Sequence, residues 1–403
     1  MSLMRVHIKK AIAIGAFGTC AIVLFIHIFY KYSTLNESEP YWMIKSDFIL
    51  SNDTNLKYIL QWTSPSTDPF VYMGVGQEVF KRRNCTYTNC VITAYRSLLD
   101  LQEYDAIIFH GPEVVRMQNK DLPQKRSAHQ KYVFASMESS HYYPVCSRRF
   151  DDYFNWTWTF RLDSVLRWSY ITVWDSKNNV IGPEKNMHWI KPEEMDPVSE
   201  RFKQKLMSKT KAAVWFVSNC ADKSGRLRFA EKLKDTLKEY NLELDIIGAC
   251  GSNSCPRSKR DECNKMVGER YFFYLSFENS FNKDYVTEKL LTALNNDVVP
   301  IVYGFANYTR FMPDGSYLNA RELGVTNLAQ MMADIIRDPE RYANFFRWKN
   351  HYSYNYKDPN PDSNSYCQMC ALMNDEEKIG ETTIVHNFRD WWDTWDIPGL
   401  CDS

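Results

Sequence analysis

Residues 271–304, YFFYLSFENSFNKDYVTEKLLTALNNDVVPIVYG, decide the fold. The aromatic run Phe272–Phe277 and the β-branched run Val298–Val302 each read as a short buried strand. Between them Thr287 stands where a helix can be capped, and Leu290, Leu291 and Leu294 follow at helical spacing. Strand, loop, helix, strand is the repeating unit of a parallel α/β sheet. In such sheets ligands gather in the loop after a strand's carboxyl end, where a helix N-terminus offers unpaired N–H groups to anions. That loop and first turn carry Glu278, Asn279, Asp284, Tyr285, Glu288 and Lys289. Tyr285, Glu288 and Lys289 stand at i, i+3 and i+4 and share one face. A nucleoside diphosphate suits that face, with Lys289 and backbone N–H groups on phosphate and Glu288 on sugar hydroxyls. The plain alternative is a solvated turn with a Glu–Lys surface pair.

A second loop of the same kind lies upstream. Ala212–Ser218 reads as a strand, and Arg226–Tyr240 as an amphipathic helix with Leu227, Ala230, Leu233 and Leu237 on one side. The linking SNCADKSGR places Ser218, Asn219 and Arg226 at a strand-to-helix turn. Arginine suits it because a planar guanidinium bonds phosphate oxygens in a bidentate fork. In the first half, Tyr58–Trp62, Val91–Tyr95, Asp105–Phe109 and Tyr132–Ser136 read as buried strands. Glu138 and His141 follow the last of these, and a carboxylate there is placed to accept a proton as a general base. Leu244–Gly248 adds a strand, and Asn327–His351 has the period of one long helix. The chain thus divides into a tail (1–10), an apolar segment (11–30), a polar stem (31–56), two α/β domains (57–195 and 196–352) and a returning tail (353–403).

The formal net charge is zero, so no basic excess exists to neutralise nucleic acid. Ala11–Tyr30 has no formal charge and is long enough to span a bilayer as a helix. Arg5, Lys9 and Lys10 precede it while only Lys31 follows closely, which orients a single-pass type II signal-anchor with the remainder in the lumen. Stem and anchor are also where two copies could meet as a homodimer. Beyond Cys20, ten cysteines remain: Cys85, Cys90, Cys146, Cys220, Cys250, Cys255, Cys263, Cys367, Cys370 and Cys401. An even number in an oxidising compartment favours disulfides over zinc around Cys250, Cys255 and Cys263, where no His is interleaved. Redox activity is the rival reading of the CxxC at Cys367 and Cys370. Sequons begin at Asn36, Asn52, Asn84, Asn155 and Asn307.

The runs FYLSFENS, DYVTEKL and VVPIVYG, in that order and spacing, resemble the donor signature of the α1,3-fucosyltransferases. That family transfers L-fucose from GDP-fucose to N-acetylglucosamine. The resemblance implies two Rossmann-like domains facing across a cleft, the GT-B arrangement, with donor on the second and acceptor on the first. It implies donor contacts from Asn279, Tyr285, Glu288 and Lys289, from Ser218 and Asn219, and from Arg226 on the pyrophosphate. Glu138 takes the place of the family's base, although Ser140 stands where the family commonly has Pro. FNWTWTFRLDS (154–164) resembles a family element that lines the cleft, marking Arg161 and Asp163 beside His141. The family pattern pairs Cys85 with Cys367 and Cys90 with Cys370. It implies a Golgi membrane enzyme acting on glycoprotein or glycolipid glycans. The donor unit holds no Asp-x-Asp element, so no obligatory metal is expected, with Mn²⁺ at most stimulatory. A silent glycan-binding protein and a transferase of another nucleotide sugar are the alternatives.

Overall fold

The computed structural model describes residues 55–67, 70–356, 360, 363–381, 384–393 and 400–401. The apolar segment, most of the stem, and the sequons at Asn36 and Asn52 lie outside the described residues. No described helix is long and apolar enough to cross a membrane.

Strands β1 (Lys57–Gln61), β2 (Cys90–Thr93), β3 (Ala106–His110), β4 (Lys131–Ser136), β5 (Trp156–Thr159) and β6 (Leu166–Arg167) form one sheet in the order β2-β1-β3-β4-β5-β6. Every pairing is parallel. β3 and β4 are buried along their whole length. Strands covered on both faces read as continuous apolar runs, which is why they stand out in the sequence. A short antiparallel sheet, with no counterpart among the strands expected from sequence, joins β7 (Thr172–Asp175) and β8 (Val180–Gly182) to a strand nearly 180 residues later, β14 (Tyr352–Asn355).

The second large sheet runs β10 (Leu244–Ile247), β9 (Lys211–Phe216), β11 (Tyr271–Phe277), β12 (Val299–Tyr303) and β13 (Leu318–Asn319), again all parallel. Chain order reverses between β9 and β11. The loops after these two strands therefore border one crevice, the switch point at which open α/β sheets bind ligands. They lead into α1 (Arg226–Leu237) and α2 (Glu288–Leu294). The long helix expected over 327–351 is instead α3 (Ala320–Arg337), a short helix Pro339–Asn344 and a turn Arg347–Asn350. Pro339 cannot continue the helix and holds Asp338 extended (φ −116°, ψ 97°), and Asp338 then caps the next segment.

Ala213, Trp215, Leu233, Phe273, Ile301 and Met332 belong to the second lobe's main core. The first sheet has a core on each face. Onto one of them packs α4 (Ser365–Met373), tied by Cys85–Cys367 and Cys90–Cys370. Onto the other packs α5 (Phe388–Trp392), whose Phe388 and Trp392 both meet Phe134. Cys146–Cys401, Cys220–Cys250 and Cys255–Cys263 complete five bonds. All ten sulfurs are thereby occupied, which rules out the zinc and CxxC redox readings. Among the sequons, Asn84 and Asn307 are exposed. Asn155 is a correction: it is buried, and its side-chain oxygen accepts from the Tyr132 N–H, so the N-x-T there serves the sheet and offers no glycan site.

Candidate active site at the seam between the lobes

β4 ends in a loop whose five successive side chains all reach the second lobe. Tyr285 donates to the Glu138 carboxylate at 3.2 Å, and Ser139 donates to Ser280 at 2.6 Å. Asn282 donates to Ser140 at 2.9 Å. The Phe281 N–H donates to His141 Nδ1 at 3.2 Å, and Asn219 donates to the Tyr142 hydroxyl at 3.1 Å. The departure at Ser140 thus has a physical content: its hydroxyl accepts an inter-lobe hydrogen bond that proline could not.

On the second lobe the site is built from the ends of β9 and β11. Glu278, only 2 % exposed, accepts from the Thr287 N–H and hydroxyl and from Lys289 Nζ. Thr287 occupies the N-cap position of α2 as expected, but its hydroxyl turns to Glu278 and makes no side-chain cap. Burial works against the charge of Lys289, yet Glu278 and Glu288 outweigh it and hold the ammonium above its ordinary pKa. Glu288 is drawn below the usual carboxylate value despite burial, chiefly by Lys289.

Arg226 opens α1 behind Gly225, whose φ of +73° favours glycine. Its guanidinium is buried and donates to the carbonyls of Phe277 at 2.7 Å and Asn219 at 3.3 Å, so it clasps both loops of the crevice. Its Nε has no hydrogen-bond partner and lies 3.8 Å from Asp222. The arginine therefore first organises the crevice, and Nε is the group left uncommitted. Ser218 and Asn219 are exposed beside it, and the Asn279 carbonyl accepts from the N–H groups of Lys223 and Ser224.

These groups form one electrostatic cluster. Glu138 is raised above the usual carboxylate pKa, first by burial and further by Glu278 and Glu288, while the Tyr285 hydroxyl and Lys289 pull it back. Arg226 feels Glu278, Tyr142 and Tyr285, and Lys289 feels Arg226. The structure thus brings together Glu138, Arg226, Tyr285, Glu288 and Lys289, with Asn279 on the same loop. It does not leave Arg161 and Asp163 on an open wall. Arg161 is buried and forks onto Asp163 at 2.8 and 2.9 Å, and Asp163 also takes Lys283 of the second lobe at 3.0 Å. Burial opposes the charge of Asp163, but Arg161 and Lys283 hold its pKa down at about 2. The pair is an inter-lobe latch. His141, kept below its ordinary pKa by burial and Lys223, likewise belongs to the contact.

Glu278 is the residue to which sequence reasoning gave no role. Its signal was a carboxylate closing an otherwise aromatic strand, which a buried position must pair. Tyr170 gave no sequence signal either: its hydroxyl donates to the Met137 carbonyl and its ring meets Tyr285.

Two parallel sheets meeting at a seam, with Glu138 of the first lobe facing the switch-point loops of the second, have the arrangement of a GT-B-type glycosyltransferase. A fucosyltransferase N-terminal family model matches residues 54–171, and the glycosyltransferase family 10 (fucosyltransferase) C-terminal model matches residues 206–391. Alpha-(1,3)-fucosyltransferase C of Drosophila melanogaster is 38% identical over 327 residues, covering 78% of this chain and 72% of the relative. Human 4-galactosyl-N-acetylglucosaminide 3-alpha-L-fucosyltransferase FUT6 is 30% identical over 301 residues, 73% of each chain. A crystal structure of an alpha1,3-fucosyltransferase with GDP-fucose aligns at a TM-score of 0.47 and 14% identity, covering 82% of this chain and 92% of that one. The chain belongs to glycosyltransferase family 10, the fucosyltransferases, and is an enzyme of that family.

Proposed function

We infer that the chain transfers L-fucose from GDP-β-L-fucose to a hydroxyl of an N-acetylglucosamine residue, with inversion to the α-linked product. The observation that carries this reading is the Glu138 carboxylate of the first lobe lying in one charged cluster with Lys289 and Arg226 of the second. The acceptor oxygen attacks the anomeric carbon opposite the diphosphate while Glu138 takes its proton. The bond to the diphosphate oxygen breaks in the same step, and GDP leaves with its charge met by Lys289 and Arg226. No covalent intermediate and no obligatory metal are needed, and Mn²⁺ acts at most as a stimulant. Glu288 holds the ribose, and Asn279 and Tyr285 hold phosphate or fucose oxygens. The raised pKa of Glu138 supports the base role, since it brings the carboxylate nearer neutral pH.

Five disulfides and the exposed sequons at Asn84 and Asn307 support a Golgi-luminal domain on a single-pass type II anchor. The acceptor would be a glycan of a glycoprotein or glycolipid. The test is incubation of the full chain with labelled GDP-fucose or GDP-mannose and a panel of N-glycan and lactosamine acceptors, with products read by mass spectrometry. Turnover of GDP-fucose to an α1,3-fucosylated N-acetylglucosamine is expected. Turnover of GDP-mannose alone, or transfer to none of these acceptors, sinks the proposal.

A further inference from the structure

A groove of about 1000 Å³ runs along the open β6 edge of the first sheet. Trp168, just past β6, and Tyr366, in the first turn of α4, form its floor, their rings meeting edge to face with centroids 5.5 Å apart. Tyr72 stands T-shaped to Trp168 at 6.4 Å, and the Arg83 guanidinium lies 4.3 Å over the Tyr366 ring. Eight large hydrophobic side chains are exposed among the described residues, and five of them line this one groove: Tyr72, Tyr87, Val165, Val180 and Tyr356. Exposed apolar surface gathered in one depression marks a binding site, whereas scattered exposure needs no explanation.

The ligand's chemistry follows from what lies between the rings. Arg167 pairs with Glu184 at 2.6 Å on the rim, and Gln368 adds an amide. The exposed rings of Tyr72 and Tyr87 beside fixed donors and acceptors match a sugar, which offers apolar C–H faces and hydroxyl edges. An apolar helix or lipid tail would instead strip water from these charges without replacing their hydrogen bonds. The groove also lies near the seam. Trp168 is two residues from Tyr170, so their Cα atoms are at most ~7 Å apart. The Tyr170 hydroxyl bonds the carbonyl of Met137, the neighbour of Glu138. The volume lies at the upper end of the ~300–1,000 Å³ typical of small-molecule sites, which leaves room for more than one hexose.

We propose that this groove binds the non-reacting sugars of an extended oligosaccharide acceptor whose reacting residue sits at Glu138. The assignment rests on the fucosyl-transfer reading of the seam. The full chain, purified from an oxidising host, is assayed with a whole N-glycan and with a methyl glycoside of N-acetylglucosamine. In the double variant Tyr72→Ala, Tyr87→Ala, kcat/KM for the N-glycan falls about tenfold relative to the short acceptor, the change lying in KM. Both residues are exposed, so the fold survives; Trp168→Ala should show a larger ratio but also removes packing on Trp158. An equal loss on both acceptors, or no loss on either, overturns the assignment. So does Asn84→Gln reproducing the effect while the tyrosine variant does not, for the groove would then hold the chain's own glycan. Saturation-transfer NMR of the N-glycan on the Glu138→Gln chain reads the groove without catalysis. Signals from the non-reacting sugars that vanish in the tyrosine variant support the assignment, and their persistence there overturns it. Absence of transfer by the unaltered chain sinks the seam reading alone, and the NMR result still decides the groove.

Discussion

The two walls of the seam are held by opposite means. On the second lobe's side, Arg226, Glu278, Thr287 and Lys289 bond one another or backbone of the same lobe. On the first lobe's side, the side chains of Glu138 to Tyr142 find their partners across the gap. A wall that satisfies itself keeps its shape whether or not the lobes meet. A wall completed only by contact reports that contact, so the electrostatics of Glu138 depend on how the second lobe is seated. In the proposed reaction, charge stabilisation would thus be preorganised, while the proton acceptor would be set by docking.

The sharpest way to break this contrast is Glu138→Gln. It should lower kcat by ~10²–10⁴, the usual worth of a general base, with donor affinity by equilibrium titration unchanged. Loss of donor binding in that variant would mean that the walls are not separable. Next in size is Glu278→Gln, which leaves Lys289 with its buried partner neutralised. Breaking a buried pair from one side costs about 3 kcal/mol, read by denaturant unfolding, and donor KM should rise at least tenfold. An unchanged donor KM would show that Lys289 is positioned by something else.

Tyr285→Phe sharpens the comparison through pH. The Tyr285 hydrogen bond lowers the pKa of Glu138, and the base works as the carboxylate, so activity is lost as pH falls through that pKa. Removing the hydroxyl should move the acidic limb of the kcat/KM profile to higher pH while the plateau changes less than about tenfold. A limb that stays in place would remove Glu138 as its source. The smallest effect concerns Asp393, buried beside Cys146–Cys401 and accepting from the Val145 N–H at 3.2 Å. Burial raises its pKa to about 7, so the folded chain keeps a proton that the unfolded chain releases near ~4. The stability this contributes is complete below the unfolded value and is lost as pH rises towards 7. Asp393→Asn should therefore reduce the fall in Tm between pH 5 and pH 7.5 by ~2–4 °C.

The strands of both sheets' centres were legible, and most clearly the unit at 271–304. A strand buried on both faces, a helix start and a second strand all fall within residues 271–304, and local periodicity carries each. What stayed hidden involved partners distant in sequence. β14 pairs with β7 nearly 180 residues away, and both are too short to announce a period. The ladder from Glu138 to Tyr142 consists of single side-chain contacts between lobes, which no spacing encodes. Arg226 was found by its place at a strand-to-helix turn, but its grip on two carbonyls required coordinates. Asn155 shows the reverse error, because a sequon reads the same in a loop and in a sheet.

The bonds Cys85–Cys367, Cys90–Cys370 and Cys146–Cys401 have both ends in the first lobe, with the whole second lobe between them in the chain. The second lobe is therefore an embedded domain, looped out of a covalently closed ring. Cys85, Cys90 and Cys146 can meet their partners only after the second lobe has been made. Loss of Cys401 alone would leave Cys146 single, so the closure of the first lobe depends on residues that lie beyond the second.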